Sequence, residues 1–226
     1  MKITISKENY LKAILEAEAE GEPVIAATLA RWLKVSAPAV TMAIRRLKRD
    51  GLISVRKSGR IHLTPEGREI ASRLLKRHQL IERMLTEIFG MEWYKVHDEA
   101  EHLEHAVSED FERLLEQRLG DSEFCPHGSR MGLETHKERR RRGLVPLAEA
   151  QPGATGRVAA VFERDRRLLE YLDTLSVRPG AAVEVLSQNV DDTVSIRVDG
   201  RAVHLGHPAA RKIWIEPAGR RPASSP

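Results

Sequence analysis

Three things are scarce in this chain of 226 residues. It has one cysteine, Cys125, so no internal disulfide can form and no cysteine-rich zinc site can be built from it. It has no apolar run near the roughly 20 residues that a membrane helix needs. Its Met1-Lys2-Ile3-Thr4 start also lacks the apolar core of a signal peptide, so the expectation is a cytoplasmic protein with no membrane partner. Between Ala30 and His62 acid is nearly absent: nine basic residues face the single Asp50, a composition suited to a polyanion. With 41% hydrophobic and 31% charged residues, a disordered or collagen-like chain is excluded.

The net charge of +4 hides a segregation. Residues 1–75 carry a net +6, residues 76–125 a net −7 with four of the nine histidines, and residues 126–226 a net +5. A basic segment, an acid-plus-histidine segment and a second basic segment imply three parts. Acid with histidine is the donor chemistry of first-row divalent metals.

The first part reads as a winged helix-turn-helix. Tyr10, Leu11, Ile14 and Leu15 recur on one helical face, with Ser6 as the expected cap. Gly21-Glu22-Pro23 breaks that helix, and Ile25 to Leu33 forms a second. Ser36 caps a third, with Pro38 in its first turn and Val40, Ile44 and Leu47 on its buried side. Its other side offers Thr41, Arg45, Arg46, Lys48 and Arg49, as a helix laid in a major groove between phosphates requires. Alternation through Ile53 and Val55, then Ile61 and Leu63, around Lys57-Ser58-Gly59-Arg60 reads as a hairpin wing bearing Arg56, Lys57 and Arg60.

In the second part His78 and Glu82 are four residues apart, adjacent on one helix face. His97, Glu101, Glu104 and His105 fall within about a 100° sector of another helix, at roughly 100° per residue, and His102 points elsewhere. Imidazole and carboxylate together suit a divalent ion with nitrogen and oxygen ligands. Leu80, Ile81, Met84, Leu85, Ile88, Phe89, Leu103, Val107, Phe111, Leu114 and Leu115 read as core and dimer interface.

Several blocks resemble the diphtheria toxin repressor and manganese transport regulator family of metal-dependent transcriptional repressors. They are Glu8 to Ile14, Val35-Ser36-Ala37-Pro38-Ala39-Val40-Thr41, Arg77 to Arg83, Val96 to Ser108 and Cys125-Pro126-His127-Gly128. The resemblance covers residues 8–128 in the expected order and implies a homodimer on a palindromic double-stranded operator. It implies an ancillary metal site from His78, Glu82 and His97, and a regulatory site from Glu101, Glu104 and His105 completed by Asn9. Iron-sensing members carry Cys at the position of Glu101 and Met at that of Asn9. Hard oxygen here replaces soft sulfur, which favours Mn(II), with Fe(II) next. Manganese-sensing relatives usually have Asp where this chain has Asn9, and the short ones Glu where it has Lys12. Ser36 and Pro38 match family base-contact positions. Met42 stands where iron sensors have Gln, which implies a different operator.

The resulting expectation is a mainly α protein in five stretches. These are a DNA-binding domain at 1–73, a helical metal-binding and dimerisation domain at 74–128, a linker at 129–153, a small SH3-like β-barrel at 154–216 and a disordered tail at 217–226. Cys125 and His127 read as parts of a turn rather than as ligands. The run Arg139 to Arg142 reads as solvated linker charge. The barrel rests on short apolar runs separated by Pro179-Gly180 and Asp199-Gly200. It resembles the domain that lends two ligands to the ancillary site in iron-sensing members, and register puts those positions at Asp165 and Leu168, of which only Asp165 has a ligand atom. Two rivals stand beside the repressor: a winged-helix regulator whose acidic helices are purely structural, and a metalloenzyme activating water through His97, Glu101, Glu104 and His105. No nucleophile or substrate-binding motif accompanies the latter, so neither an enzyme nor a small-molecule substrate is expected.

Overall fold

A computed structural model describes residues 3–218. Helix α1 (Ile5–Ala19) is capped by Thr4, whose hydroxyl accepts from the Lys7 amide, so the helix begins before Ser6. Helix α2 (Ala26–Leu33) ends on Lys34 in the left-handed region, which makes the tight turn into α3 (Ala37–Arg49). Ser36 caps α3 with Pro38 in its first turn, as expected. Strands β1 (Ile53–Val55) and β2 (Ile61–Leu63) pair antiparallel as the wing. Leu11, Ile14 and Leu15 of α1 pack with Leu29, Leu47, Leu52 and Ile61 into one core.

Helix α4 (Pro65–Arg83) is a single 19-residue element, so the backbone is continuous across residue 73. Its first half packs under the winged helix, and its second half carries His78 and Glu82. A π-helical turn (Met84–Ile88), α5 (Val96–Leu103) and α6 (Glu109–Leu119) follow. The core here is small, chiefly Ile81, Leu85, Val96 and Ala100. Phe89, Leu114, Ile88 and Phe111 stay exposed on the same part of the chain. Large apolar side chains in water beside a thin core leave an uncovered apolar face on this unit.

The stretch 129–153 is not a free linker. Helix α7 (His136–Arg141) closes with a Thr135/Glu138 capping box, and His136 and Arg139 reach Glu20 at the end of α1. Strand β3 (Val145–Pro146) pairs with β8 (Ile213–Pro217), so the third domain's sheet begins inside this stretch. The remaining strands are β4 (Thr155–Val161), β5 (Ala182–Gln188), β6 (Thr193–Val198) and β7 (Arg201–Gly206). The sheet order is β3-β8-β4-β5-β6-β7, all antiparallel. Because β3 and β7 are not hydrogen-bonded to each other, this is a six-stranded sheet rather than the closed barrel expected. Helices α8 (Arg166–Thr174) and α9 (His207–Ala210) cover its core. The expected tail runs from Pro217, the last residue of β8, and its residues 219–226 lie outside the described residues.

Candidate metal centres and DNA-binding face

Helix α3 turns Val40 and Leu47 inward, which leaves Ser36, Pro38, Thr41, Met42, Arg45, Arg46 and Lys48 exposed along its other side. Arg56, Lys57 and Arg60 are exposed in the wing. None of Arg45, Arg46, Lys48, Arg56, Lys57 and Arg60 is paired with a carboxylate among the described residues, whereas Arg31 and Arg49 are. Among the described residues these six cations leave a basic surface around the helix and hairpin, the charge that phosphate contacts require.

The metal-type donors do not form one cluster along one helix. Helix α5 stops at Leu103, so Glu104 and His105 lie in the following turn, and the donors divide into two adjacent centres. The second centre is buried. His78 Nε2 lies 3.0 Å from Glu82 Oε1 and 3.0 Å from His97 Nδ1, which is 3.2 Å from Glu82 Oε1. Glu163 reaches in from the third domain, 4.0 Å from His97 Nδ1. The Cys125–Gly128 turn adds His127, whose Nδ1 is 3.4 Å from Glu82 and 3.5 Å from Glu163, and Cys125 Sγ, 3.9 Å from Glu163. Two donor groups thus overlap through Glu82 and Glu163: one with His78 and His97, the other with Cys125 and His127.

These atoms fit a bound cation. Ligand bonds of about 2.1 Å give donor–donor edges of about 3.0 Å in an octahedron and about 3.4 Å in a tetrahedron, the range in which His78, Glu82, His97 and His127 stand, with Glu163 up to 4.0 Å from His97. Glu82 Oε2 and both ring nitrogens of His127 are buried without a hydrogen-bond partner, an arrangement that costs stability unless something else satisfies them. Burial pushes His97 down to about 3, so its imidazole is neutral. Burial and Lys12 work against charging His78, but Glu82 and Glu104 outweigh them and raise it to about 9. Burial and the nearby Glu82 raise Glu163 to about 7. Burial also raises Cys125 to about 11, so it is a thiol when no cation is present.

Neither Cys125, His127 nor Glu163 was expected as a donor. The signal available was weak: two donors flanking a proline, and one glutamate within the charged run Glu163-Arg164-Asp165-Arg166. What brings them in is backbone packing. The His127 carbonyl accepts from the Val161 amide of β4 at 3.0 Å. Gly128 has φ +85°, and a Cβ there would run into the Ala159 carbonyl at a bulge in β4. Asp165, two residues on, is not at the cluster. It caps α8 by accepting from the Leu168 amide and pairs with Lys212 at 2.8 Å, while Leu168 is buried in the third domain's core.

The first centre lies on the other side of the same imidazoles. His105 Nε2 is 2.7 Å from Asn9 Oδ1 and 3.4 Å from Glu104 Oε1, and its Nδ1 meets Glu8 at 2.9 Å. Lys12 Nζ donates to both Glu104 oxygens at 2.6 and 2.7 Å and lies 3.2 Å from His78 Nδ1. A cation of the protein thus already sits between Glu104 and His78. Glu101 stands 3.6 Å from His97 Nε2 and 3.2 Å from Arg164. Burial alone would raise Glu101, but Arg164, with Lys12 behind it, holds it down to about 2. His78 and His97 therefore bridge the centres, each with one nitrogen toward Glu82 and the other toward Glu104 or Glu101. A cavity of about 250 Å³ opens onto the first centre between α1 and α5, and His102, expected to point elsewhere, lines it.

The arginine run is structural in three of its four members. Arg139 pairs with Glu20, Arg140 with Glu149, and Arg142 with Glu134. Arg139 and Arg140 also stack on Trp214.

A winged helix joined to an acidic, histidine-bearing helical unit and a small β domain is the architecture of a DNA-binding regulator with a metal centre. Family models match in that order: "Iron dependent repressor, N-terminal DNA binding domain" over residues 2–61, "Iron dependent repressor, metal binding and dimerisation domain" over 64–131, and "FeoA domain" over 145–217. The chain is 32% identical to the diphtheria toxin repressor of Corynebacterium glutamicum, covering 92% of this chain and 95% of that one. It is 31% identical to the iron-dependent repressor IdeR of Mycobacterium leprae, over 92% and 96%. A solved manganese-dependent transcriptional repressor in complex with manganese superposes with a TM-score of 0.83 at 32% identity, covering 92% of this chain and 98% of that one. The chain belongs to the diphtheria toxin repressor family of metal-dependent transcriptional repressors. Those relatives are DNA-binding repressors and not enzymes. Among the described residues no helix is long and apolar enough to cross a membrane.

Proposed function

We propose that the protein is a cytoplasmic homodimeric repressor whose grip on a palindromic double-stranded operator is switched on by Mn(II), with Fe(II) as the second ion. The observation that carries the reading is the pair of adjacent donor clusters built where all three domains meet, with unpartnered buried ligand atoms in one of them. Asn9, Glu101, Glu104 and His105 would hold an ion at the first centre. His78, Glu82, His97 and Glu163 would hold one at the second, with Cys125 and His127 in reach. A bound ion supplies positive charge that joins carboxylates from different domains. Asn9 comes from α1 of the DNA-binding domain and His105 from the dimerisation domain, so a ligand shared between them ties the position of α3 to the dimer axis. Two recognition helices then present at about one DNA turn, roughly 34 Å. The ion tightens DNA binding only by its difference in affinity between the two states.

Oxygen and imidazole at the first centre favour Mn(II) or Fe(II) over ions that demand thiolate. The test is to strip the protein with a chelator and select genomic DNA fragments with no metal, with Mn(II), or with anaerobic Fe(II). Enrichment of one palindromic site only with metal supports the reading, and comparing the ions names the one sensed. Equal enrichment without metal makes both clusters structural and leaves a metal-independent winged-helix regulator.

A further inference from the structure

Three consecutive residues beyond β4 enter the groove between the first two domains and go to three places. Phe162 sets its ring edge against Trp32 of α2, with centroids 6.0 Å apart. Glu163 joins the second centre. Arg164 lies between α1 and α5: its Nη1 is 2.6 Å from Glu16 and 3.2 Å from Glu101, and its guanidinium stacks over Trp32 at 5.1 Å. Two carboxylates of the first centre are therefore paired with protein cations, Glu104 with Lys12 and Glu101 with Arg164.

The two cations are not alike. Lys12 is 3% exposed and enclosed by Glu104 and His78, and its one other carboxylate is Glu101, of the same centre, at 4.0 Å. Arg164 already has a closer partner, Glu16, outside the centre. It can give up Glu101 without becoming an unpaired buried charge, which is the costly state for a guanidinium. An ion arriving at Glu101 must displace Arg164 and then tolerate it nearby, so the arginine weakens the ion's hold.

We propose that Arg164 is the third domain's counter-cation for the first centre: it holds Glu101 in the metal-free protein and falls back on Glu16 when a divalent ion takes Glu101. The third domain thereby sets the metal concentration at which the repressor responds. The inference rests on the reading of Glu101 as a ligand.

The experiment is Mn(II) titration of the chelator-stripped full-length protein by calorimetry and by electron paramagnetic resonance of free Mn(II). The binding class to follow is the one that Glu101→Ala deletes. Arg164→Gln should bind in that class about two- to fivefold tighter, the worth of a partly exposed ion pair. Arg164→Lys should stay near wild type, and Glu16→Gln should bind more weakly, because Arg164 then has Glu101 alone. Unchanged or weaker binding in a folded Arg164→Gln protein overturns the proposal and leaves Arg164 a structural tie. Should that variant not fold, unchanged or tighter binding in Glu16→Gln overturns it equally. If Glu101→Ala deletes no class, the ligand reading fails first and the proposal with it.

Discussion

His78 shows how one side chain can serve two centres. Its Nδ1 faces Glu104 at 2.6 Å and its Nε2 faces Glu82 at 3.0 Å, so both faces of the ring are spoken for. With its proton held to about pH 9, and that of Glu163 to about 7, an ion that takes both must displace them. Below pH 7 both protons compete with the ion, and between 7 and 9 the His78 proton still does. Mn(II) affinity at the second centre should therefore fall as pH falls, by up to about tenfold per unit for each proton displaced. Titrations at pH 6, 7 and 8 check this, and a flat profile would remove His78 and Glu163 from the ligand set. At the first centre, Glu101→Ala and His105→Ala should abolish metal-dependent operator binding with the circular dichroism of the folded chain unchanged. A wild-type metal response in either would overturn that assignment. The residue types of this centre were legible from the resemblance, which also marked Lys12 as a departure from the Glu of the short manganese regulators, but its contacts with Glu104 and His78 were not, because nothing in the linear order places residue 12 against residues 78 and 104.

Among the elements, the wing and the Cys125–Gly128 turn differ in how far the sequence revealed them. The wing was plain, since alternating Ile and Val around a Gly-containing basic tip needs no partner to be read. Each of its three cations that meets phosphate adds about 0.9 to the salt slope of DNA binding. Replacing Arg56, Lys57 and Arg60 with Gln should flatten that slope by up to about 2.7 in log–log units, measured by binding at several salt concentrations. An unchanged slope would place the wing off the DNA. The turn, by contrast, looked like a chain reversal and is also a docking device. Gly128 packs against the bulged backbone of β4 and so delivers His127 beside Glu163. Gly128→Ala should loosen that contact through both the left-handed φ and the clash, and so weaken metal binding at the second centre while sparing the first. Calorimetry resolves the two classes, and wild-type binding in both would show that the close approach is not required.

At the scale of the molecule, ion pairs join the three domains beside apolar contacts such as Phe162 on Trp32 and Trp93 on the third domain's core. Arg164 meets Glu16 and Glu101, Arg166 meets Asp98, and Trp93 Nε1 donates to Asp173 at 2.7 Å. Contacts of this kind rearrange more readily than a packed apolar interface, which suits a protein whose domains respond to an ion. Phe111 and Leu114 of α6, at 42% and 59% exposure, are large apolar side chains that the proposed dimer would cover. Phe111→Asp with Leu114→Asp should give a folded monomer by sedimentation, with operator binding lost because a single recognition helix has no half-site partner. A dimeric double variant would move the interface elsewhere.

The chain by itself determined the winged helix, the basic face of α3, the helical histidine-carboxylate pairs and the β-rich end, because each depends on local periodicity or on neighbours a few residues apart. Tertiary structure alone decided which donors share a centre. Glu163 rather than Asp165 meets His78, Cys125 and His127 join Glu82, and Lys12 and Arg164 neutralise the first centre. The physical reason is separation along the chain. A metal centre gathers atoms to within about 3 Å from segments tens of residues apart, and only the packing of α4, α5 and the Cys125–Gly128 turn against β4 specifies which atoms arrive.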